Sequence, residues 1–372
     1  MRVRSVELRE IRLPLVEPFR ISSGSVSERR VLLAELAAAD GTVAWSECVA
    51  GRAPNYSPET IDTAWWVLGE WLVERLLAES WESAADVRAR LDEGVRGHRM
   101  AKATLEMGCW ALEATARGES LAARLGGDRT EVATGISLGI QPTTEALVER
   151  ARRAVAAGYR KVKLKIRPGA DVEPVRAVRA AVGEKVVLTV DANAAYGLDD
   201  GATFEALDEL GLAMIEQPLE WDDLAAHAEL QRRLQTPICL DESITGVGRV
   251  EEMLALGSGR VVNIKPGRVG GLGASLAIHE RCVEAGVPVW CGGMLESGVG
   301  RAYNVALASL PGFVHPGDLS PSARYWAEDV VEPEWTMSDD GLVTVPRSEP
   351  GLGVSVRHDR VDALTVRRRR FG

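Results

Sequence analysis

The chain has 372 residues, 46% of them apolar and 26% charged, and a formal charge of −10. That composition belongs to a soluble globular protein, and the acidic balance argues against a nucleic-acid partner. No apolar run approaches the ~20 residues that cross a membrane. Met1 to Glu7 alternates charged and apolar residues as a strand does, unlike a signal peptide. Five cysteines (Cys48, Cys109, Cys239, Cys282, Cys291) show no CxxC spacing and read as free thiols in a reducing cytoplasm.

In chain order, Val3–Leu13, Arg30–Ala37 and Val43–Glu47 read as strands. Ser57-Pro58 then predicts a helix start, with a hydroxyl at the N-cap and proline at the first helical position. Residues 60–79 carry apolar side chains at helical spacing, and a second helix spans Met100–Arg117. Strands followed by helices predict an α+β domain over residues 1–125. Strand and helix patterns alternate after that. Strands are expected at 132–138, 161–166, 186–191, 213–216, 237–241, 260–265, 287–291 and about 312–315, with helices such as Asp171–Val182 and Asp223–Leu234 between them. This is an α/β pattern, and over residues 126–325 it predicts a TIM-like barrel. Residues 326–372 show no clear helix and are expected to pack back on the first domain, with Arg367–Arg370 a solvated tail.

Five charged residues close successive apolar runs: Lys165, Asp191, Glu216, Asp241 and Lys265, at gaps of 26, 25, 25 and 24 residues. Barrel active sites lie at the C-terminal ends of the strands, so three carboxylates and two lysines should meet at one mouth. Asp191, Glu216 and Asp241 offer oxygen donors only. Such a set suits Mg²⁺ or Mn²⁺ and leaves room for a substrate carboxylate and water. Helix capping would explain Asp241 alone; glutamate is a poor N-cap, and capping does not explain the even spacing. Asn193 and Glu242, beside two of these carboxylates, are placed to orient ligands or water.

Lys163 and Lys165 point to one face of their strand. Two ammonium groups beside a divalent cation depress each other's pKa, which suits a lysine base. Lys161, nearer the strand start, reads as solvated. Lys265 should stand nearly opposite Lys165 around the ring. Together they form an acid–base pair facing both sides of a carbon next to a carboxylate.

Two further motifs compete. Gly135-Ile-Ser137-Leu-Gly139 fits the G-x-S-x-G nucleophile elbow, and His315 follows in the right order. An elbow must open a helix, however, and Gln141-Pro142 follow instead. Gly267, Gly270, Gly271 and Gly273 complete no phosphate-binding motif. They leave room for Arg268, either to hold an anionic arm of a substrate bidentately or to form a surface ion pair.

The following stretches together resemble the enolase superfamily: Gly135-Ile-Ser-Leu-Gly139, Lys163-Leu-Lys165-Ile166, Asp191-Ala-Asn193, Ile215-Glu216-Gln217-Pro218, Leu240-Asp241-Glu242-Ser243, Asn263-Ile-Lys265-Pro266-Gly267-Arg268 and Gly292-Gly-Met294-Leu-Glu296. Within it they resemble the muconate-lactonizing subgroup, nearest the branch of o-succinylbenzoate synthases and N-succinylamino acid racemases. The resemblance implies a (β/α)7β barrel under an α+β capping domain, in a homo-oligomer. It puts metal ligands at Asp191, Glu216 and Asp241, acid/base lysines at Lys165 and Lys265, and a supporting lysine at Lys163. Ser137 would lie near the substrate carboxylate. Phe19 to Ser25 and Ala53 to Pro58 match the two capping loops, so Phe19, Tyr56, Met294 and Glu296 are expected near the substrate.

The reaction implied is the superfamily's general one, with Mg²⁺ stabilising an ene-diolate. Its outcome would be dehydration to o-succinylbenzoate, for menaquinone synthesis, or racemisation of N-acylamino acids. The expected partner is a small carboxylate with a succinyl arm. Muconate lactonization is the alternative, and a metal-binding barrel without turnover fits poorly with two intact lysines. The Asp-x-Asp of dipeptide epimerases is missing, since residues 292–296 read Gly-Gly-Met-Leu-Glu.

Overall fold

A computed structural model of the chain describes residues 1–22 and 24–372. Ser23, inside the first capping loop, lies outside the described residues. Three strands open the chain: β1 (Val3–Ile21), β2 (Gly24–Ala38) and β3 (Val43–Cys48). They pair antiparallel in sequence order. The first hairpin is longer than expected, because pairing resumes at Phe19–Ile21 beyond an irregular stretch of β1 between Pro14 and Phe19.

The Arg99–Ala116 helix packs across β2 and β3 and buries Met100 through Ala114. Gly108 permits this close approach, since a Cβ there would lie 2.7 Å from a Leu36 methyl. The first helix of the chain begins later than Ser57-Pro58 predicts. Thr60 is the N-cap of Ile61–Val67, with Thr63 completing a reciprocal capping box. The two threonines satisfy both ends of the box, an arrangement Ser57 does not make.

Barrel strands follow the short β4 (Glu131–Ala133). They are β5 (Gly135–Leu138), β6 (Lys161–Lys165), β7 (Val187–Asp191), β8 (Met214–Glu216), β9 (Ile238–Leu240), β10 (Val261–Ile264) and β11 (Val289–Cys291). All seven are parallel and ordered as in the sequence. The eighth place is taken by two isolated parallel bridges rather than a strand. Phe313 pairs with Val289 on one edge, and Gly317 with Thr134 on the other. The ring is thus a (β/α)7β barrel beside an antiparallel-sheet domain.

Along β6 the pleat sends Val162 and Leu164 to the helix layer and the three lysines inward. Inside the barrel, Met214, Cys239, Val261 and Trp290 form a small separate apolar cluster.

Past the barrel lie β12 (Val331–Glu332), β13 (Leu342–Thr344) and β14 (Ser355–Val356). A helix then forms at His358–Leu364, where none was expected, followed by β15 (Thr365–Phe371). β15 joins the edge of the first sheet beside β1. The arginine run is therefore not a free tail. Arg367 pairs with Glu10 at 2.6 Å and Asp62 at 2.8 Å, and Arg369 with Glu70 at 2.5 Å.

Candidate active site

Strand register builds the site. Lys165 stands beside Asp191, and Asp191 beside Glu216, at the ends of β6, β7 and β8. Asp241 and Lys265 follow directly after β9 and β10. The three carboxylates are at most 1% exposed. Each is turned to a cation. Lys165 donates to Asp191 Oδ2 at 2.5 Å, Lys163 to Glu216 Oε2 at 2.9 Å, and Lys265 to Asp241 Oδ2 at 2.7 Å. Engaged in this way, they do not converge: among the described residues no group of three or more acidic, histidine or cysteine side chains surrounds one point.

Burial pushes Glu216 up to about 7, and the neighbouring charge of Asp191 adds to it. Glu242 is pushed to about 8 by burial, then by Asp241 and Asp191. Such crowding of acidic groups in a dry site is what a hard divalent cation would relieve. Among the described residues, Ser137 Oγ and Glu242 Oε2 are buried without a hydrogen-bond partner. The chemistry of the donor set, all oxygen, suits a hard divalent cation.

Without the ion, carboxylates dominate the surroundings of Lys163 and Lys265. Burial opposes the charge of Lys163, but Asp318, Glu216 and Asp191 outweigh it and hold its pKa well above the ordinary value. Lys265 is likewise raised, with Asp241 overcoming burial. The surrounding carboxylates win over repulsion between neighbouring lysines. Lys161, expected in solvent, is fully buried. Its ammonium lies 3.5 Å from the Trp290 ring centroid and 3.5 Å from Asp318 Oδ1, without a hydrogen bond, and burial lowers its pKa.

Above the lysines lies a cavity of about 370 Å³, lined by Lys165, Lys265 and Asn193 from the barrel and by Phe19 and Tyr56 from the cap, with Met294. Asn193 accepts from Lys165 at 2.8 Å and donates to Glu242 at 3.1 Å. Tyr56 donates to Asp241 at 3.0 Å and accepts from Lys265 at 3.1 Å.

Two expected residues lie elsewhere. Arg268 is buried, with its guanidinium on Asp241 and on the carbonyl of Asn263, so no donor fork faces the cavity. Glu296 turns away to accept from Asn304 at 2.8 Å. Ser137 lies within β5 rather than on a strand-to-helix turn, which removes the nucleophile-elbow reading.

Three contributors went unnoticed in the sequence. Asn263 donates to Glu216 Oε1 at 2.8 Å. Asp318 pairs with Lys163 at 2.7 Å. Gln217, at φ +37°, accepts from the backbone N–H of Asp241 at 3.0 Å. Gln217 directly follows Glu216 and Asn263 lies two residues before Lys265, which was the signal available for them.

A (β/α)7β barrel capped by an α+β domain, with paired lysines and three carboxylates at the strand ends, defines an enzyme of the enolase type. The chain belongs to the enolase superfamily. Residues 3–126 match the mandelate racemase / muconate lactonizing enzyme N-terminal domain, and residues 146–360 the enolase C-terminal domain-like model. It is 47% identical over 366 residues to an N-succinylamino acid racemase of Amycolatopsis sp, covering 98% of both chains. It is 46% identical over 363 residues to the o-succinylbenzoate synthase of Geobacillus kaustophilus, covering 98% of this chain and 96% of the other. A solved enolase-superfamily member from Listeria innocua superimposes with a TM-score of 0.96 at 37% identity, over 100% of this chain and 99% of that one. A solved muconate lactonizing enzyme is only 23% identical, a likeness of fold alone.

Proposed function

We propose that the protein removes a proton α to a carboxylate, as an o-succinylbenzoate synthase, an N-succinylamino acid racemase, or both. One observation carries this reading: Lys165 and Lys265, on strands separated by β7, β8 and β9, line the same cavity. A substrate between them presents one face of its α-carbon to each ammonium group.

Asp191, Glu216 and Asp241 would hold Mg²⁺, or Mn²⁺. The ion, when bound, supplies charge stabilisation for the substrate carboxylate as the proton leaves. The cluster holds five carboxyl groups (Asp191, Glu216, Asp241, Glu242, Asp318) and five cations (Lys161, Lys163, Lys165, Lys265, Arg268). Any added positive charge favours loss of a lysine proton, which produces the base. In racemisation one lysine takes the α-proton while the other, still protonated, delivers one to the opposite face. In dehydration Lys165 takes the α-proton and returns it to the departing β-hydroxyl, which leaves as water. Lys265 then steadies the negative charge.

The substrate is a small carboxylate with a succinyl arm, and the enzyme works in the cytoplasm as a homo-oligomer. Five buried free cysteines support a reducing compartment, and no helix among the described residues is long and apolar enough to cross a membrane. The test is α-proton exchange by NMR in D₂O with Mg²⁺ and each enantiomer of an N-succinyl amino acid, beside an assay for o-succinylbenzoate formation. Exchange from both enantiomers supports two competent lysines. Dehydration without exchange selects the synthase, and neither activity overturns the reading.

A further inference from the structure

We infer that Arg52 is the specificity residue for the far carboxylate of the substrate's acyl arm. The inference rests on the proposed reaction and extends it to the chemistry of that arm. Four other cationic side chains line the same cavity, and all are engaged. Lys165 is held by Asp191 and Asn193, and Lys265 by Asp241 and Tyr56. Arg29 donates to the carbonyls of Val49 at 2.9 Å, Ala50 at 3.1 Å and Leu295 at 3.4 Å. Arg30 is forked between Glu10 and Asp62.

The acidic groups of the wall are also engaged. Glu28 pairs with Arg12 at 3.1 Å, and Glu59 accepts the backbone N–H groups of Met100 and Ala101 at 2.9 and 3.0 Å. Arg52 alone lines the cavity as a cation with no hydrogen bond or ion pair among the described residues.

Its position is prepared. The loop carrying it is pinned at Gly51, whose carbonyl accepts from Ile61 N at 2.9 Å, and at Tyr56, whose hydroxyl joins Asp241 and Lys265. An arginine whose five donors are unengaged among the described residues matches a carboxylate through two parallel hydrogen bonds. The substrate carboxylate that must lie at the lysines cannot be its partner as well, so a second carboxylate, on the arm, is the group it takes. This is the role that the buried Arg268 cannot fill.

The experiment compares N-succinyl and N-butanoyl forms of one amino acid, which share chain length and differ in the terminal carboxylate, in wild type, Arg52→Gln and Arg52→Lys. In Arg52→Gln the kcat/KM ratio of succinyl to butanoyl is expected to fall about tenfold, through KM of the succinyl substrate. Arg52→Lys should keep part of the preference. An unchanged ratio in Arg52→Gln, or an equal loss on both substrates, would overturn the inference while leaving the reaction standing. A wild type that turns over neither substrate and forms no o-succinylbenzoate would overturn the reaction itself, and the inference with it.

Discussion

Asp318→Asn tests the buried charge network most directly. The Asp318 carboxylate stands between two buried ammonium groups, 2.7 Å from Lys163 and 3.5 Å from Lys161. Lys163 keeps Glu216 as a partner, whereas Lys161 has, among the described residues, no hydrogen bond and no other carboxylate within ion-pair distance. Removing one member of a buried pair leaves an uncompensated charge and costs ~3–5 kcal/mol. Lys161→Met alone removes a charge that burial already disfavours and keeps the apolar stem over Trp290, so it should lie within ~1 kcal/mol of wild type. The double variant restores the balance and should recover at least ~1 kcal/mol of the Asp318→Asn loss.

Equilibrium guanidinium unfolding of the four proteins measures this cycle. A second readout is pH. Lys161 has its folded pKa below the ordinary 10.5, so above that folded value the unfolded chain binds more protons, and this group makes stability rise with pH towards 10.5. Lys161→Met should flatten that rise. Strict additivity of the two substitutions, or an Asp318→Asn loss under ~1 kcal/mol, would refute the network.

Three other outcomes are expected. Glu106→Gln should cost ~1–3 kcal/mol by denaturation. Both carboxylate oxygens accept buried N–H groups, Oε2 from Leu272 at 2.8 Å and Oε1 from Gly273 at 2.7 Å and Trp110 at 2.8 Å, and an amide has only one oxygen. Gly292→Ala should lower kcat ~100-fold with a smaller change in KM, because the new methyl would lie 2.6 Å from Lys265 Cε and against Asn263, shifting the lysine from its working position. Stopped-turnover assays with unchanged kcat would count against that placement of Lys265. Chelation with EDTA should abolish α-proton exchange, with recovery on adding Mg²⁺ or Mn²⁺. Exchange that persists through exhaustive chelation would remove the metal from the scheme.

The barrel and its charged mouth were legible because each barrel repeat places its last strand residue at an equivalent point. Position along the chain then maps onto position around the ring, and Lys165, Asp191, Glu216, Asp241 and Lys265 announce themselves by spacing. What was not legible depends on closure. Lys161 reads as solvated on its strand, but Trp290, from the far side of the ring, covers it. Asp318 lies in the eighth place, where bridges replace a strand and no periodic pattern marks it. The sequence pointed to Arg268, in its glycine-rich stretch, and gave no signal for Arg52. Only the fold shows one spent on Asp241 and the other unengaged. Thr60 outcompeted Ser57 as a helix cap because its partner Thr63 lies within the first turn, a pairing that a search for proline at N1 overlooks.

The two domains divide the work, and buried glutamates join them. Glu106, on a capping-domain helix, takes the N-terminal N–H groups of the Leu272–Glu284 barrel helix, whose own N-cap is a glycine with no side chain to offer. Glu47, on β3, accepts from Ser297 Oγ at 2.6 Å and from Gly300 N at 3.1 Å at the start of the Gly298–Ala308 helix. Each carboxyl group accepts N–H groups that the helix start cannot satisfy itself, in a dry interface where leaving such a hydrogen bond unmade is costly. These contacts fix the cap to the barrel away from the cavity. The β1–β2 tip and the Arg52 loop hang from that fixed frame and supply the cavity's outer wall. Being exposed, they can change side chains at little cost in stability, whereas the lysines and carboxylates below are buried and mutually balanced. Under the proposed reaction, substitutions in the cap would change substrate contacts at little cost in stability, whereas substitutions among the buried lysines and carboxylates would disturb the network that removes the proton.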